Sequence, residues 1–215
     1  MVDLKSYQTV VVANGEAPVH PVAQQLLQQA DERVCCDGAI RHLEALGLSP
    51  TAVVGDGDSI QHSDLQKYHS LFIQDASPDY NDLTKALNYC ASRGRKRVAI
   101  VGGCGLREDH TLGNIALLMK HSRDLQLVMV TNYGVFTPIR TTTSFPSYPG
   151  EAVSVFSFCP DTKLTYQGLR YPVHQRSFLE LWEGTLNESL GDSFCIQLQN
   201  EGEVLIYQAF QKENV

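Results

Sequence analysis

Residues 52–60 have the sequence AVVGDGDSI, and this short stretch shows the pattern on which the first half of the chain is built. The apolar residues AVV have the composition of a short buried strand, which ends at Gly55. Asp56 and Asp58 follow directly, two positions apart. Carboxylates this close repel each other, so the arrangement indicates either a cation between them or two side chains that point into water.

The same sequence of an apolar segment followed by polar or glycine-rich residues recurs through residues 1–135. Its other apolar segments are TVVVA (9–13), RVCC (33–36), LFI (71–73) and RVAIV (97–101). Helix-like stretches lie between them, such as residues 81–92, in which Leu83, Leu87 and Cys90 have helical spacing. Alternation of short strands with helices predicts a parallel sheet that is covered by helices on both faces.

The carboxyl ends of parallel strands share one edge of a sheet, and ligands bind at that edge. The predicted edge collects glycines, at least four carboxylates, Arg107 and His110. Carboxylates without neighbouring cysteine or histidine suit a hard cation such as Mg²⁺, which usually takes further oxygens from phosphate and water. Arg107 and the glycine-rich backbone are suited to phosphate oxygens. The pattern therefore favours magnesium-dependent chemistry on a nucleotide.

The second half of the chain has a different character. Residues 141–150, TTTSFPSYPG, are rich in Thr, Ser and Pro, and they predict a linker or an exposed loop. Asn200–Gly202 suggests a hairpin turn. Short β-like segments occupy 152–158, 163–166, 193–199 and 203–210. We therefore expect an α/β domain at 1–135 and an all-β domain, a sandwich or a barrel, at 140–215.

Composition excludes several classes of function. The chain has 215 residues, with 17 Lys and Arg against 24 Asp and Glu, so its formal charge is −7. An acidic chain without a basic cluster is unsuited to nucleic acid or to anionic membranes, and we expect neither as a partner. Its six cysteines form no C-x-x-C pair, and the first residues lack a long apolar segment, so we expect a cytoplasmic protein without a signal peptide. Scattered histidines such as His42 are interpreted as surface residues.

Five motifs follow one another along the chain. They are Asn14-Gly15, Asp37-Gly38-Ala39-Ile40-Arg41, Gly55-Asp56-Gly57-Asp58-Ser59-Ile60, Asp79-x-x-Asp82-Leu83-x-x-Ala86-Leu87 and Gly105-Leu106-Arg107-x-Asp109-His110-x-x-x-Asn114. Together they resemble the motifs of the thiamine pyrophosphokinase family. In the second half, Gly168-Leu169-Arg170-Tyr171-Pro172 also resembles a family segment. Each motif is weak by itself, and their common order over nearly the whole chain makes the resemblance specific.

The resemblance implies both a fold and a reaction. The expected fold is an α/β nucleotide-binding domain with a parallel sheet, followed by an all-β sandwich that binds thiamine and forms the dimer. The expected reaction transfers a pyrophosphoryl group from ATP to the hydroxyethyl oxygen of thiamine, giving thiamine diphosphate and AMP. By the same resemblance, Mg²⁺ is the cofactor, ATP and thiamine are the substrates, and the protein is a homodimer with the acceptor site near the interface.

The resemblance also implies roles for particular residues. Asp56, Asp58 and Asp82 would hold Mg²⁺ and the phosphates, and Asp79 and Arg107 would act with them in catalysis. Further contacts to the substrates would come from Asn14, Asp37, Gly38, Ser59, Lys85, Asp109, His110, Asn114 and Asn187.

The chain departs from the family pattern at several positions. Arg41 stands where the family has Asn, Leu106 replaces a glycine, and Leu186 stands where the family more often has Ser. Two alternatives therefore stay open, namely a pyrophosphokinase for another alcohol, such as a hydroxymethylpterin, and a non-catalytic nucleotide-binding module. Trp182, the only tryptophan, suits either stacking on an aromatic ring or packing in a core.

Overall fold

The structure is a computed structural model of the chain and describes residues 3–211. It divides into two compact units, Leu4–Asn132 and a second unit that begins at Tyr133. The assignment of catalysis to residues 1–135 and of thiamine binding to residues 140–215 stays a prediction. Within residues 3–211, no helix combines the length and the apolar character that crossing a membrane requires.

The first unit alternates strands and helices, numbered here in chain order. Its strands are β1 (Thr9–Val12), β2 (Glu32–Cys36), β3 (Ala52–Gly55), β4 (Phe72–Gln74), β5 (Arg97–Val101) and β6 (Gln126–Val130). Its helices are α1 (Pro21–Gln29), α2 (Ile40–Glu44), α3 (His62–Lys67), α4 (Asp82–Ser92) and α5 (Glu108–His121). Short 3₁₀ turns occupy Leu4–Ser6, Asp37–Ala39 and His69–Leu71.

All strand pairs in this unit are parallel, and the order across the sheet is β6-β5-β1-β2-β3-β4. The chain first builds the sheet outward from β1 to β4 and then returns to place β5 on the other side of β1. The order therefore reverses between β1 and β5, and such a reversal opens a crevice at the carboxyl ends of the strands. The predicted parallel α/β fold is confirmed.

Burial on both faces explains the continuous apolar runs in the strands of the first unit. Val10, Val11 and Val12 are fully buried, and so are Val98–Val101 of the neighbouring β5. The helices cover the sheet with fully buried leucines, which are Leu27, Leu43, Leu87 and Leu118. Each such side chain contributes about 1.5–3 kcal/mol by leaving water, so the sheet is a rigid base for the loops at its edge.

Two glycines let the loops after β1 and β5 approach each other at the reversal point. Gly15 donates its N–H to the carbonyl oxygen of Gly102 at 2.8 Å. A Cβ on Gly15 would collide with that same oxygen, and a Cβ on Gly102 would collide with the carbonyl oxygen of Ala13. Larger residues at either position would push the loops apart, so these glycines set the spacing of the crevice.

The strands of the second unit pair antiparallel in the part of it that the structure describes. Its strands are β7 (Gly134–Ile139), β8 (Thr143–Pro146), β9 (Ala152–Ser157), β10 (Leu164–Gln167), β11 (Asn187–Glu188), β12 (Ser193–Leu198) and β13 (Val204–Ala209). Strands β11-β9-β13-β7 lie side by side, β10-β12-β8 form a separate sheet, and a 3₁₀ turn covers Leu181–Gly184. Between the two sheets lies an apolar core that contains Val155, Ile196 and Ile206. The predicted β-sandwich is confirmed.

Two local predictions for the second unit are wrong. The expected loop at residues 141–150 contains strand β8, and an edge strand accommodates Pro146 because one side of it needs no ladder hydrogen bonds. The expected hairpin turn at Asn200–Gly202 instead joins β12 and β13, which lie in different sheets. Local sequence signals give the turn, whereas the partner of each strand depends on the packing of the sandwich.

Candidate active site

Three carboxylates meet at the ends of the neighbouring strands β2 and β3. Asp37 follows β2 directly, and Asp56 and Asp58 follow β3. One oxygen of each lies within 4.8 Å of the others. Parallel pairing explains the meeting, because Cys36 lies opposite Val54 and the two strands therefore end side by side. We call Asp37, Asp56 and Asp58 the carboxylate cluster.

Asp37 is the buried member of the carboxylate cluster, with 1% of its surface exposed. Its Oδ2 accepts a hydrogen bond from Gly57 N–H at 2.9 Å. Its Oδ1 is buried and lacks a hydrogen-bond partner among the described residues. The side chain fits beside the backbone only because residue 55 is glycine, since a Cβ there would lie 2.7 Å from Asp37 Oδ2.

The environment of Asp37 fits a hard cation. Burial, with a smaller effect from the nearby negative charge of Asp82, raises the pKa of Asp37 above its usual value. A buried carboxylate oxygen without a partner is unfavourable, and a cation bound there would remove that cost. All candidate ligands in the cluster are carboxylate oxygens, the donor type that Mg²⁺ prefers. The residues present therefore fit a magnesium ion.

Lys85 links the carboxylate cluster to the start of α4. Its side chain is only 2% exposed, and Nζ donates to Asp56 Oδ2 at 2.9 Å and to Asp82 Oδ1 at 3.2 Å. Burial alone would lower the pKa of Lys85, but the hydrogen bonds to the two carboxylates outweigh it and the pKa is raised. Lys85 thus contributes a positive charge among the carboxylates, and its predicted contact with a phosphate stays a prediction.

The structure groups the predicted metal ligands differently from the sequence analysis. Asp37, a predicted substrate contact, lies with Asp56 and Asp58, whereas Asp82 is joined to them through Lys85. Burial raises the pKa of Asp82, and the hydrogen bond from Lys85 partly opposes that effect. The adjacency of β2 and β3 in the sheet is what identifies Asp37 as a further candidate ligand. The metal set Asp56, Asp58 and Asp82 stays a prediction.

A pocket of about 290 Å³ lies at the reversal point of the first unit. Its walls come from the loops after β1, β3 and β5 and from the starts of α4 and α5. Among the lining residues are six that the sequence analysis singled out, namely Asn14, Ser59, Asp82, Arg107, His110 and Asn114. The fold therefore brings together residues that are up to a hundred positions apart in the sequence.

Arg107 and Asp109 form a bidentate ion pair at the start of α5. Arg107 Nε lies 3.0 Å from Asp109 Oδ1, and the second hydrogen bond, to Oδ2, measures 2.5 Å. This hydrogen-bonded cation lowers the pKa of Asp109 to about 2. Both side chains are almost two-thirds exposed, so a phosphate in the pocket can replace the carboxylate as the partner of Arg107.

Several polar side chains fix the loops around the pocket. Asn114 Nδ2 donates to the carbonyl oxygen of Gly103 at 2.8 Å and so holds the loop after β5. Gly38 lies against Asn14, because a Cβ on Gly38 would collide with the Asn14 side-chain amide. Ser59 Oγ donates to Asp58 Oδ1 at 2.9 Å. These contacts order the loops before any ligand binds.

His42 corrects the interpretation of the histidines as surface residues. It is 7% exposed, and its Nε2 lies 3.1 Å from the carbonyl oxygen of Gly15 in the loop after β1. Burial, with the nearby charge of Arg41, lowers its pKa, so the ring is neutral at neutral pH. His42 thus supports the wall of the pocket, and only the placement of α2 beneath that loop reveals it.

Asp79 and Asn187 are not among the residues that line this pocket. Asp79 is exposed in the turn before α4. Asn187 belongs to β11 in the second unit, where its Oδ1 accepts from Tyr171 N–H at 3.0 Å and its Nδ2 donates to Tyr171 O at 2.8 Å. These two bonds fasten the loop around Tyr171 to β11, so the side chain has a clear structural task.

The second unit has its own pocket and exposed apolar side chains. The pocket, about 410 Å³, is lined by residues that include Tyr171, Arg176, Leu186 and Asn187. The apolar side chains exposed within residues 171–190, called here the apolar surface, are Tyr171, Leu179, Leu181, Trp182, Leu186 and Leu190. Trp182 is 71% exposed, which excludes the alternative that it packs in the core.

Fold and site together define an α/β protein with an acidic, glycine-rich candidate site at the carboxyl edge of a parallel sheet and a β-sandwich after it. Residues 23–129 match the model of the thiamin pyrophosphokinase catalytic domain, and residues 134–207 match the model of the thiamin pyrophosphokinase substrate-binding domain. The chain belongs to the thiamin pyrophosphokinase family, whose members are pyrophosphate-transferring enzymes.

Individual relatives agree with this assignment. The chain is 27% identical over 167 residues to thiamine pyrophosphokinase of Bacillus subtilis (strain 168), an alignment that covers 74% of this chain and 73% of that protein. The crystal structure of the enzyme from Bacillus subtilis superposes with a TM-score of 0.81 at 20% identity, covering 94% and 99% of the two chains. Thiamin pyrophosphokinase from Candida albicans gives 0.79 at 15% identity, covering 94% and 90%. These structures support the fold.

Lys85→Met should destabilise the protein measurably in the absence of divalent cations. Removal of the ammonium leaves Asp56 and Asp82 without their buried cation, and we expect the free energy of unfolding to fall by about 2 kcal/mol. Lys67→Met is the matched control, because Lys67 pairs with Glu44 but is 60% exposed, and its removal should destabilise the protein less than the removal of Lys85. Urea unfolding at pH 7 measures both, and equal losses would contradict the role given to Lys85.

Proposed function

We propose that this chain is a thiamine pyrophosphokinase that transfers the pyrophosphoryl group of ATP to thiamine and releases AMP. The observation that carries the proposal is the carboxylate cluster beside the pocket at the reversal point, with a buried Asp37 oxygen that lacks a partner. Membership of the family supports the acceptor, and the carboxyl edge of the sheet is where an α/β protein binds a nucleotide.

Carboxylates would hold Mg²⁺ with the phosphates of ATP. We assign Asp56 and Asp58 as ligands, with Asp37 and Asp82 as the further candidates closest to them. When bound, Mg²⁺ neutralises charge on the phosphate oxygens and so favours attack by an alcohol. Lys85 keeps Asp56 and Asp82 in place, which limits the rearrangement that ion binding requires.

The rest of the pocket would bind the phosphates. Arg107 can exchange its bond to Asp109 for bonds to phosphate oxygens, and the N-terminus of the 14-residue helix α5 adds a favourable dipole. Asn14, His110 and Asn114 line the same pocket and offer further hydrogen bonds. Transfer of this kind depends mainly on position and electrostatics, so a strong general base is not required.

The second unit would bind the acceptor and a second copy of the chain. Its pocket lies next to members of the apolar surface, and an exposed apolar surface is typical of an interaction site.

All six cysteines carry free thiols, which supports the predicted cytoplasmic location. Fractionation of cells that express a tagged chain measures the location directly.

The product of the reaction tests the proposed function. Incubation with ATP, Mg²⁺ and thiamine should give AMP and thiamine diphosphate in equal amounts, because attack at the β-phosphorus leaves AMP. Separation of the nucleotides and of the thiamine esters measures both. ADP with thiamine monophosphate would contradict the proposed site of attack. AMP formed with a hydroxymethylpterin but not with thiamine would favour another acceptor. If ATP is not consumed in the presence of either alcohol, the result would indicate a non-catalytic module.

Asp58→Asn should lower kcat at least about a hundredfold and weaken Mg²⁺ binding, because the substitution removes one proposed ligand of the ion. It should leave the stability of the fold unchanged, because Asp58 is exposed. Asp64→Asn is the control, since Asp64 lies on α3 outside the cluster. Activity at saturating Mg²⁺ and calorimetric titration with Mg²⁺ measure the two effects. Near-normal activity of Asp58→Asn would refute the metal assignment.

Leu179→Asp should weaken the proposed dimer, because it places a charge on the apolar surface where a second copy would bury Leu179, which is 78% exposed. Leu112→Asp adds the same charge at a leucine of the first unit that is 68% exposed. Sedimentation at micromolar concentration should show the unmodified chain and Leu112→Asp as dimers and Leu179→Asp shifted toward monomer. A fully active monomer of the unmodified chain would contradict the proposal.

A further inference from the structure

The loop between β5 and α5 contains a leucine in a conformation that favours glycine. Three of its residues have positive φ, namely Gly102 at 66°, Gly105 at 78° and Leu106 at 66°. Two of the three are glycines, which adopt this region without steric conflict. In Leu106 the Cβ lies too close to the following carbonyl oxygen, so the backbone is strained.

The turn around Leu106 is an unusual one. Arg107 N–H donates to the carbonyl oxygen of Gly105 at 2.8 Å, which closes a three-residue γ-turn with Leu106 at its centre. Turns of this kind with a positive central φ are rare and strained. The Leu106 side chain is 71% exposed, so burial inside the chain does not offset the strain. Glycine adopts this conformation without strain, and a strained residue in a loop beside a pocket is a candidate functional position.

Leu106 belongs to the wall of the first unit's pocket. It lines the pocket of about 290 Å³ together with Arg107, His110 and Asn114. Arg107 and the acidic residues of this site suit phosphates and a cation, and these groups offer no surface that benefits from contact with leucine. The base and the sugar are the parts of ATP that gain from contact with an apolar side chain. Of these two, the base has a flat face that packs well on leucine.

We propose that Leu106 is a nucleobase-contacting residue of this pocket, held in place by its strained turn so that its side chain packs on the base of ATP. The inference rests on the proposed function, in which the pocket takes ATP.

The second unit repeats the same combination in Leu186, which has a φ of 60°, is 84% exposed and lines the second pocket. In both cases an exposed leucine with a positive φ is among the residues that line a pocket.

Two variants separate the side chain from the turn. Leu106→Ala removes the contact but keeps the strain, whereas Leu106→Gly removes both. Calorimetric titration with ATP and with inorganic triphosphate, each with Mg²⁺ and without thiamine, separates the base from the phosphates. We expect both variants to bind ATP about tenfold more weakly than the unmodified protein and to bind triphosphate equally well.

Thermal unfolding gives an independent measurement of the strain. Leu106→Gly should raise Tm by about 2–4 °C, and Leu106→Ala should not raise it, because alanine also has a Cβ. Leu112→Ala is the matched control, since Leu112 is 68% exposed on α5 and is not among the residues that line the pocket. It should leave the affinities for ATP and triphosphate unchanged.

The outcomes distinguish this inference from the proposed function. Unchanged affinity of Leu106→Ala for ATP would overturn the inference while ATP still binds. Equal weakening for ATP and triphosphate would also overturn it, because the turn would then act by placing Arg107. If the unmodified protein binds triphosphate and ATP equally well, the base makes no contact and the inference fails. If the unmodified protein binds neither ligand, the proposed function itself is overturned.

Discussion

Repulsion between carboxylates at the ends of β2 and β3 is the constraint on which the first unit depends. Asp37, Asp56 and Asp58 lie within 4.8 Å of one another, and Asp82 is joined to them by one hydrogen-bonded lysine. Each close pair of like charges costs on the order of 1 kcal/mol in water and more where water is excluded. The single ammonium of Lys85 offsets part of this, and a divalent cation is suited to offset the rest.

The parallel sheet makes this arrangement possible. Strands with fully buried residues fix where each chain segment ends, so carboxylates that repel each other cannot move far apart. Glycine also allows close approaches that a Cβ would prevent. The Asp37 side chain lies against Gly55, and the carbonyl oxygen of Gly102 lies against Gly15. The stability of the apolar layers thus offsets the repulsion between carboxylates at the edge of the sheet. Local destabilisation that the rest of the fold offsets is expected at a functional site.

The two units divide the physical tasks differently. The first orders its polar loops in advance, through contacts such as His42 with Gly15 and Asn114 with Gly103. The second buries its core between two sheets and leaves apolar side chains such as Trp182 exposed. Pre-ordered polar loops favour selective binding of a charged ligand, and exposed apolar side chains favour association with a partner surface.

The sequence by itself determined the α/β unit followed by a β unit, because strand and helix periodicities depend only on neighbouring residues. It also placed Asp56, Asp58 and Arg107 at the carboxyl edge, since every parallel strand ends there. Only the tertiary structure decided that Asp37 joins Asp56 and Asp58, that His42 is buried and that residues 143–146 form a strand. These features depend on which strands are neighbours and on how loops pack, and such contacts between distant residues leave no local signal in the sequence.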